Sequence, residues 1–153
     1  MNFLKLLTGA ILFSFCMTGS AETISNEKNM TIYRSPTCGC CGKWEDHARS
    51  NHFVINDIIS DDMQAIKKKY GIPEKLASCH TAIVDGYVIE GHVPVADIEK
   101  LLKIKPKVVG IAAPGMPMGS PGMEMGGKQD DYDVVSFDGS GNYQIFSEHK
   151  AGQ

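Results

Sequence analysis

The chain has 153 residues, 42% apolar and 22% charged, with five Cys, eight Met and sixteen Gly. These proportions exclude collagen-like, mucin-like and wholly disordered classes, and the length makes one domain the default. A formal charge of −3, from fifteen Lys/Arg against eighteen Asp/Glu, excludes a nucleic-acid surface built on bulk positive charge.

Residues 1–21 read as a secretory signal peptide. Lys5 supplies the positive start, residues 6–17 a mostly apolar core, and Gly19-Ser20-Ala21 the small residues before a cleavage after Ala21. That core is shorter than the roughly 20 residues that span hydrocarbon, so no stable membrane anchor is expected. Phe13-Ser14-Phe15 lacks the small residue that precedes a lipidated Cys, which argues against a lipoprotein site at Cys16. Residues 22–29 are polar and read as a flexible lead-in, and residues 30–153 as a single domain.

Residues 30–33 form a short β-rich run ended by Ser35-Pro36. After Gly39-Cys40-Cys41-Gly42 a helical pattern runs over 43–51, with Trp44 and Ala48 on one face. Residues 53–59 read as a second strand. Ser60 or Asp61 can cap a helix carrying Met63, Ile66 and Tyr70, stopped by Gly71 and Pro73, with Lys67-Lys68-Lys69 as its solvated face. Residues 81–84 and 87–90 flank Asp85-Gly86, a two-residue hairpin signal. Pro94 can open a third helix with Val95, Ile98, Leu101 and Leu102 inward. The order β-α-β-α-β-β-α, a parallel pair followed by an antiparallel hairpin and a closing helix, predicts an α/β fold with a small mixed sheet, in a thioredoxin-like arrangement.

Residues 110–127 contain six Gly, three Pro and four Met, a composition that predicts a loop. Residues 132–137 and 143–147, around Asp138-Gly139-Ser140-Gly141-Asn142, predict a C-terminal hairpin within 132–147.

If the signal is removed, Cys38, Cys40, Cys41 and Cys79 remain. The first three lie at a strand-to-helix junction, where unpaired N–H groups and the helix dipole favour thiolates and lower their pKa. Cys38 and Cys41 have the C-x-x-C spacing of thiol–disulfide oxidoreductases, and Cys40 adds a competing thiol. Cys79-His80-Thr81 falls just before the third strand, where a thioredoxin-like fold places a cis-proline facing the Cys loop. A thiol and an imidazole stand there instead, which favours a metal over a substrate protein. Four thiolates can make a tetrahedral zinc site, but vicinal Cys40-Cys41 chelates one ion awkwardly. Closely spaced thiols suit bridging of several soft ions, and Cu(I) favours thiolate and thioether ligands. Met116, Met118, Met123 and Met125 lie in a loop able to approach the same pocket. In an oxidising compartment metal and disulfide compete for these sulfurs. Two structural disulfides are the plain alternative, though bridges within so short a loop constrain little chain entropy. His47 and His52 read as solvent-facing, His92 as structural, His149 as part of a frayed terminus, and Trp44 as a core or pocket-wall residue.

Cys38-Gly39-Cys40-Cys41-Gly42-Lys43-Trp44, Ser78-Cys79-His80-Thr81-Ala82, Glu90-Gly91-His92-Val93-Pro94 and Pro114-Gly115-Met116-Pro117-Met118-Gly119-Ser120-Pro121-Gly122-Met123-Glu124 together resemble the CopG-like copper-resistance proteins, small periplasmic metal-binding proteins. The resemblance spans about residues 30–125. It implies a thioredoxin-like domain that binds copper through Cys38, Cys40, Cys41 and Cys79 and changes copper's oxidation state in a periplasmic copper response. The combined expectation is a periplasmic copper-binding protein whose thiolates hold one or several Cu(I) ions, with copper ions and other periplasmic copper-handling proteins as partners and not nucleic acid. His80, Met116, Met118 and Met123 are outer donors or a lid. The alternative is a thiol–disulfide oxidoreductase with Cys38 attacking and Cys41 resolving.

Overall fold

The structure, a computed structural model, describes residues 27–152. The signal peptide expected over residues 1–21, and most of the polar lead-in, lie outside the described residues. In chain order the elements are β1 (Lys28–Arg34), α1 (Gly39–Ser50), β2 (Phe53–Ile59), α2 (Met63–Lys69), a 3-10 turn (Glu74–Leu76), β3 (His80–Val84), β4 (Tyr87–Glu90), α3 (Val95–Ile104), β5 (Gly110–Ala112), β6 (Tyr132–Phe137) and β7 (Tyr143–His149). The expected α/β class and the early element order hold. No described helix is long and apolar enough to cross a membrane.

All strands join one mixed sheet in the order β2-β1-β3-β4-β5-β6-β7. The β1–β2 pair is parallel, and β3 runs antiparallel to both β1 and β4. Asp85 and Gly86 adopt φ of 48° and 82°, the positive values that a tight hairpin turn demands. Alternation along the strands splits the apolar residues between two faces. On one face Met30, Ile32, Ala82, Val84, Ile89, Ile111 and Val134 pack with Trp44 and Ala48 of α1 and with Val95, Ile98, Leu101 and Leu102 of α3. The other face carries a smaller cluster of Val88, Ala112, Val135 and Phe137 with Ile72 and Leu76. The four α3 residues predicted to face inward are all buried.

Several boundaries shift for identifiable reasons. Helix α1 starts at Gly39 rather than Lys43, so Cys40 and Cys41 occupy its first turn and Cys38 its N-cap position. Asp62, rather than Ser60 or Asp61, caps α2, its carboxylate accepting the Ala65 N–H at 2.9 Å. Pro94 stands at the N-cap of α3, one place before the helix. The loop expected over 110–127 begins with a buried strand: β5 pairs with β4 and β6, and Gly110 is required because the Val88 carbonyl occupies the space of a side chain there. Lys67 is buried rather than solvated. His149 ends β7 in a 2.7 Å contact with Asp97 and stacks on Tyr132, so it is held rather than frayed.

Candidate metal centre

One wall of the site is the start of α1. Cys38 and Cys41 form a disulfide, with Cα atoms 5.5 Å apart, and Cys40 is a free thiol whose sulfur lies 3.7 Å from that of Cys38. The expected lowering of these thiol pKa values therefore has no place in Cys38 and Cys41 while they are joined. Trp44, one turn on, is fully buried, donates its indole N–H to the Val93 carbonyl at 2.9 Å, and lies 4.5 Å from the His80 ring. It belongs to the core and backs the site at once.

The other wall is the open end of the β3–β4 hairpin. The pairs Val84↔Tyr87 and Thr81↔Glu90, continued past the strand ends, set Cys79 opposite His92 and His80 opposite Gly91. The Gly91 N–H donates to the His80 carbonyl at 3.0 Å. A side chain at Gly91 would collide with Ser78 and the Ala113 carbonyl. The Cys79 sulfur lies 3.1 Å from His92 Nε2 and 3.3 Å from His80 Nδ1. His92 is thus a donor that the sequence reading treats as structural, although the Asp85-Gly86 turn encodes its position opposite Cys79. Half-buried His47, expected to face solvent, instead accepts the Val95 N–H with Nε2 at 3.3 Å, which ties α1 to α3. His52 is exposed as expected.

The two walls meet. The donor atoms of Cys38, Cys40, Cys41 and Cys79 all lie within 4.8 Å of one another, as do those of Cys79, His80 and His92. Cys79 is common to both sets. Burial, then the charge of neighbouring Cys40, pushes the Cys79 thiol up to about 12, so it carries its proton at neutral pH. His80 is wholly buried, and burial, followed by the neighbouring His92, holds its pKa well below the ordinary value. Burial also lowers His92, whose Nδ1 donates to the Pro121 carbonyl at 2.7 Å. That bond leaves His92 Nε2 with a lone pair facing the Cys79 sulfur. Nε2 of His80 is buried with no hydrogen-bond partner among the described residues. Sulfur donors beside imidazole nitrogens, once the thiols give up their protons, are a set suited to copper, as well as to other borderline and soft ions.

The Met-bearing loop reaches this place through its backbone. A side chain at Gly122, φ +83°, would come within 2.8 Å of the Trp44 nitrogen, 3.2 Å of the Cys40 carbonyl and 3.3 Å of His92 Nδ1. Met123 beside it is buried, Met118 is half-buried with its N–H bonded to Asp130, and Met116 and Met125 are exposed. The Ser78 hydroxyl donates to the Gly115 carbonyl, tying the other end of the loop to the residue before Cys79.

A model of the family described as "Protein of unknown function, DUF411" matches residues 76–123, the span from the residues before Cys79 to Met123. A comparison with curated proteins gives no match. Among solved structures, form 2 of a copper resistance protein, CopG, is similar at 44% identity with a TM-score of 0.77, covering 81% of this chain and 99% of that one. Form 1 is similar at 45% identity and a TM-score of 0.76, covering 80% and 98%. The match covers about four-fifths of this chain and nearly the whole of that protein, so the chain belongs to the CopG-like copper-resistance family.

Proposed function

We propose that this protein binds copper as part of copper resistance, holding Cu(I) in a cluster of up to four thiolates from Cys38, Cys40, Cys41 and Cys79 on a thioredoxin-like arrangement of strands. The convergence of four sulfurs from two separated chain segments within 4.8 Å is the observation that carries this reading. Closely spaced thiolates can bridge more than one soft ion. Loading the full set requires the Cys38–Cys41 disulfide to open, taking up two electrons and two protons from a thiol reductant. His80 and His92 supply nitrogen donors next to Cys79, which suits copper passing between Cu(I) and Cu(II). The loop of Met116, Met118 and Met123 closes on the site at Gly122, and their thioethers are taken as outer donors or a lid. A signal peptide cleaved after Ala21 places the protein in the periplasm, where copper ions and other copper-handling proteins are its partners.

The Cys38–Cys41 disulfide favours a second reading, a thiol–disulfide oxidoreductase with Cys38 attacking and Cys41 resolving. One experiment separates the two. The mature protein is reduced anaerobically and titrated with Cu(I) against a competing chelator, with bound metal measured by elemental analysis. The copper reading expects wild type to bind more copper, and more tightly, than Cys79→Ser. Equal binding overturns the four-thiolate site. A disulfide-exchange activity that needs Cys38 and Cys41 but tolerates loss of Cys79 would favour the second reading.

A further inference from the structure

On the sheet face opposite Trp44 and His80, one carboxylate gathers three hydrogen bonds. Glu90 is wholly buried. Its Oε1 accepts the Ser78 N–H at 2.6 Å and the Lys67 ammonium at 2.5 Å, and its Oε2 accepts the Thr81 hydroxyl at 2.7 Å. Lys67, also buried, reaches in from α2 and contacts the Thr81 hydroxyl at 3.3 Å. Ser78 and Thr81 are the residues on either side of Cys79-His80. The carboxylate therefore grips the chain immediately before and after the strand wall of the site, while the Glu90 carbonyl accepts from Ala113 at the root of the Met-bearing loop at 3.0 Å.

Desolvating a carboxylate and an ammonium costs several kcal/mol each, and an apolar pair of similar volume commonly supports a fold as well or better. Stability alone gives little reason for this pair. Position gives one: the residue next to β3 is Cys79 itself, with no adjoining proline to brace it, and Glu90 bonds to the residues on both sides of Cys79-His80. We propose that Glu90, held by Lys67, is the positioning residue that sets the Cys79 thiol against Cys40 and the two imidazoles. Its consequence for copper rests on the proposed function, but the positioning itself can be measured without copper.

The test compares two double variants. Lys67→Met/Glu90→Leu removes the charges and every acceptor. Lys67→Met/Glu90→Gln removes the charges but keeps an acceptor for the Ser78 N–H. Each is read by Cu(I) affinity against a chelator. In a Cys38→Ser/Cys41→Ser background each is also read by the affinity of reduced protein for phenylarsine oxide, which joins two nearby thiols, here Cys40 and Cys79, through two As–S bonds and releases water. The Leu form is expected to lose about 10- to 100-fold in both affinities, the range typical of outer-shell changes, and the Gln form to stay within about threefold of the parent. A folded Leu form with unchanged arsenical affinity overturns the proposal. So does equal loss in both forms, which would place the effect in charge. A Leu-form loss of arsenical affinity in a protein whose wild type binds no copper keeps the positioning and overturns only the copper reading. If the Leu form does not fold, Thr81→Val, which removes one of the three bonds, is expected to weaken arsenical binding roughly threefold, and no change there overturns the proposal.

Discussion

The two walls of the site are built on opposite principles. The helix wall is continuous in the chain: Cys38, Cys40 and Cys41 fall within four residues, and two of them close on each other. The strand wall is assembled across a hairpin, and Cys79 meets imidazoles rather than a second sulfur of its own segment. A wall of neighbouring thiols can exchange metal for a disulfide by itself. Cys79 has no sulfur partner in its own segment, only His80 and His92, so a disulfide from it would have to reach across to Cys40 on the helix wall. The disulfide is thus closed within one wall, and the nitrogen donors stand on the other.

Trp44 touches both walls, so its loss should blur the contrast most. Trp44→Ala removes a wholly buried side chain and leaves the Val93 carbonyl unpaired. A destabilisation of about 3–5 kcal/mol is expected in denaturant unfolding. Cys79→Ser tests the contrast directly. It should cost Cu(I) affinity more than the ~10–100-fold of outer-shell changes while leaving the Cys38–Cys41 disulfide able to form, as thiol counting before and after oxidation will check. Gly122→Ala forces a side chain into the junction between the walls at a strained φ of +83°. It should cost roughly 1–3 kcal/mol of stability, with a matching fall in melting temperature.

The nitrogen wall should have its own signature in acid. Burial first of all depresses the pKa of both His80 and His92 below the ordinary 6.5. The unfolded chain therefore binds protons that the folded one refuses. The stability from these neutral imidazoles is complete above pH 6.5 and is lost as pH falls from there through the folded values, with a slope of at most about 1.4 kcal/mol per pH unit for each histidine. Denaturant melts of the metal-free protein from about pH 7.5 to about pH 5 should show this slope, and His80→Phe should flatten it. The smallest effect belongs to an exposed surface pair. Lys128→Ala breaks a 3.6 Å pair with Asp130 in which the lysine is 81% exposed. It should change stability by less than about 0.5 kcal/mol and Cu(I) affinity not at all.

Much of this arrangement was legible in the sequence because local chemistry dictated it. The strand of residues 53–59, the Asp85-Gly86 turn and the inward residues of α3 follow from β-rich composition, positive φ and helical spacing. Cys38, Cys40 and Cys41 were legible as a cluster from their spacing, and Cys79 joined them only through the expected topology. Other features depended on pairing. β5 is three residues long inside a Gly- and Pro-rich stretch, and only its neighbours β4 and β6 make it a strand. Gly and Cys at the start of α1 read as loop, yet the helix begins there. Lys67 looked like one of three solvated lysines. It shares a face with Met63, Ile66 and Tyr70 at helical spacing, and Glu90 waits opposite it. That signal was present but outweighed by the charge run. His92 was also within reach: counting outward from the turn pairs it with Cys79.

That count gives the hairpin a second office, as a gauge of length. The turn lies six residues before the thiol's partner begins to matter, about 20 Å away at ~3.3 Å per strand residue. One residue inserted into β4, with the turn kept intact, would bring Gly91 opposite Cys79 and turn every following side chain to the other face. No donor atom would have been altered. The thiol would simply face a residue with nothing to offer, so the composition of this site is written in its cysteines and histidines, but its assembly is written in the number of residues between them.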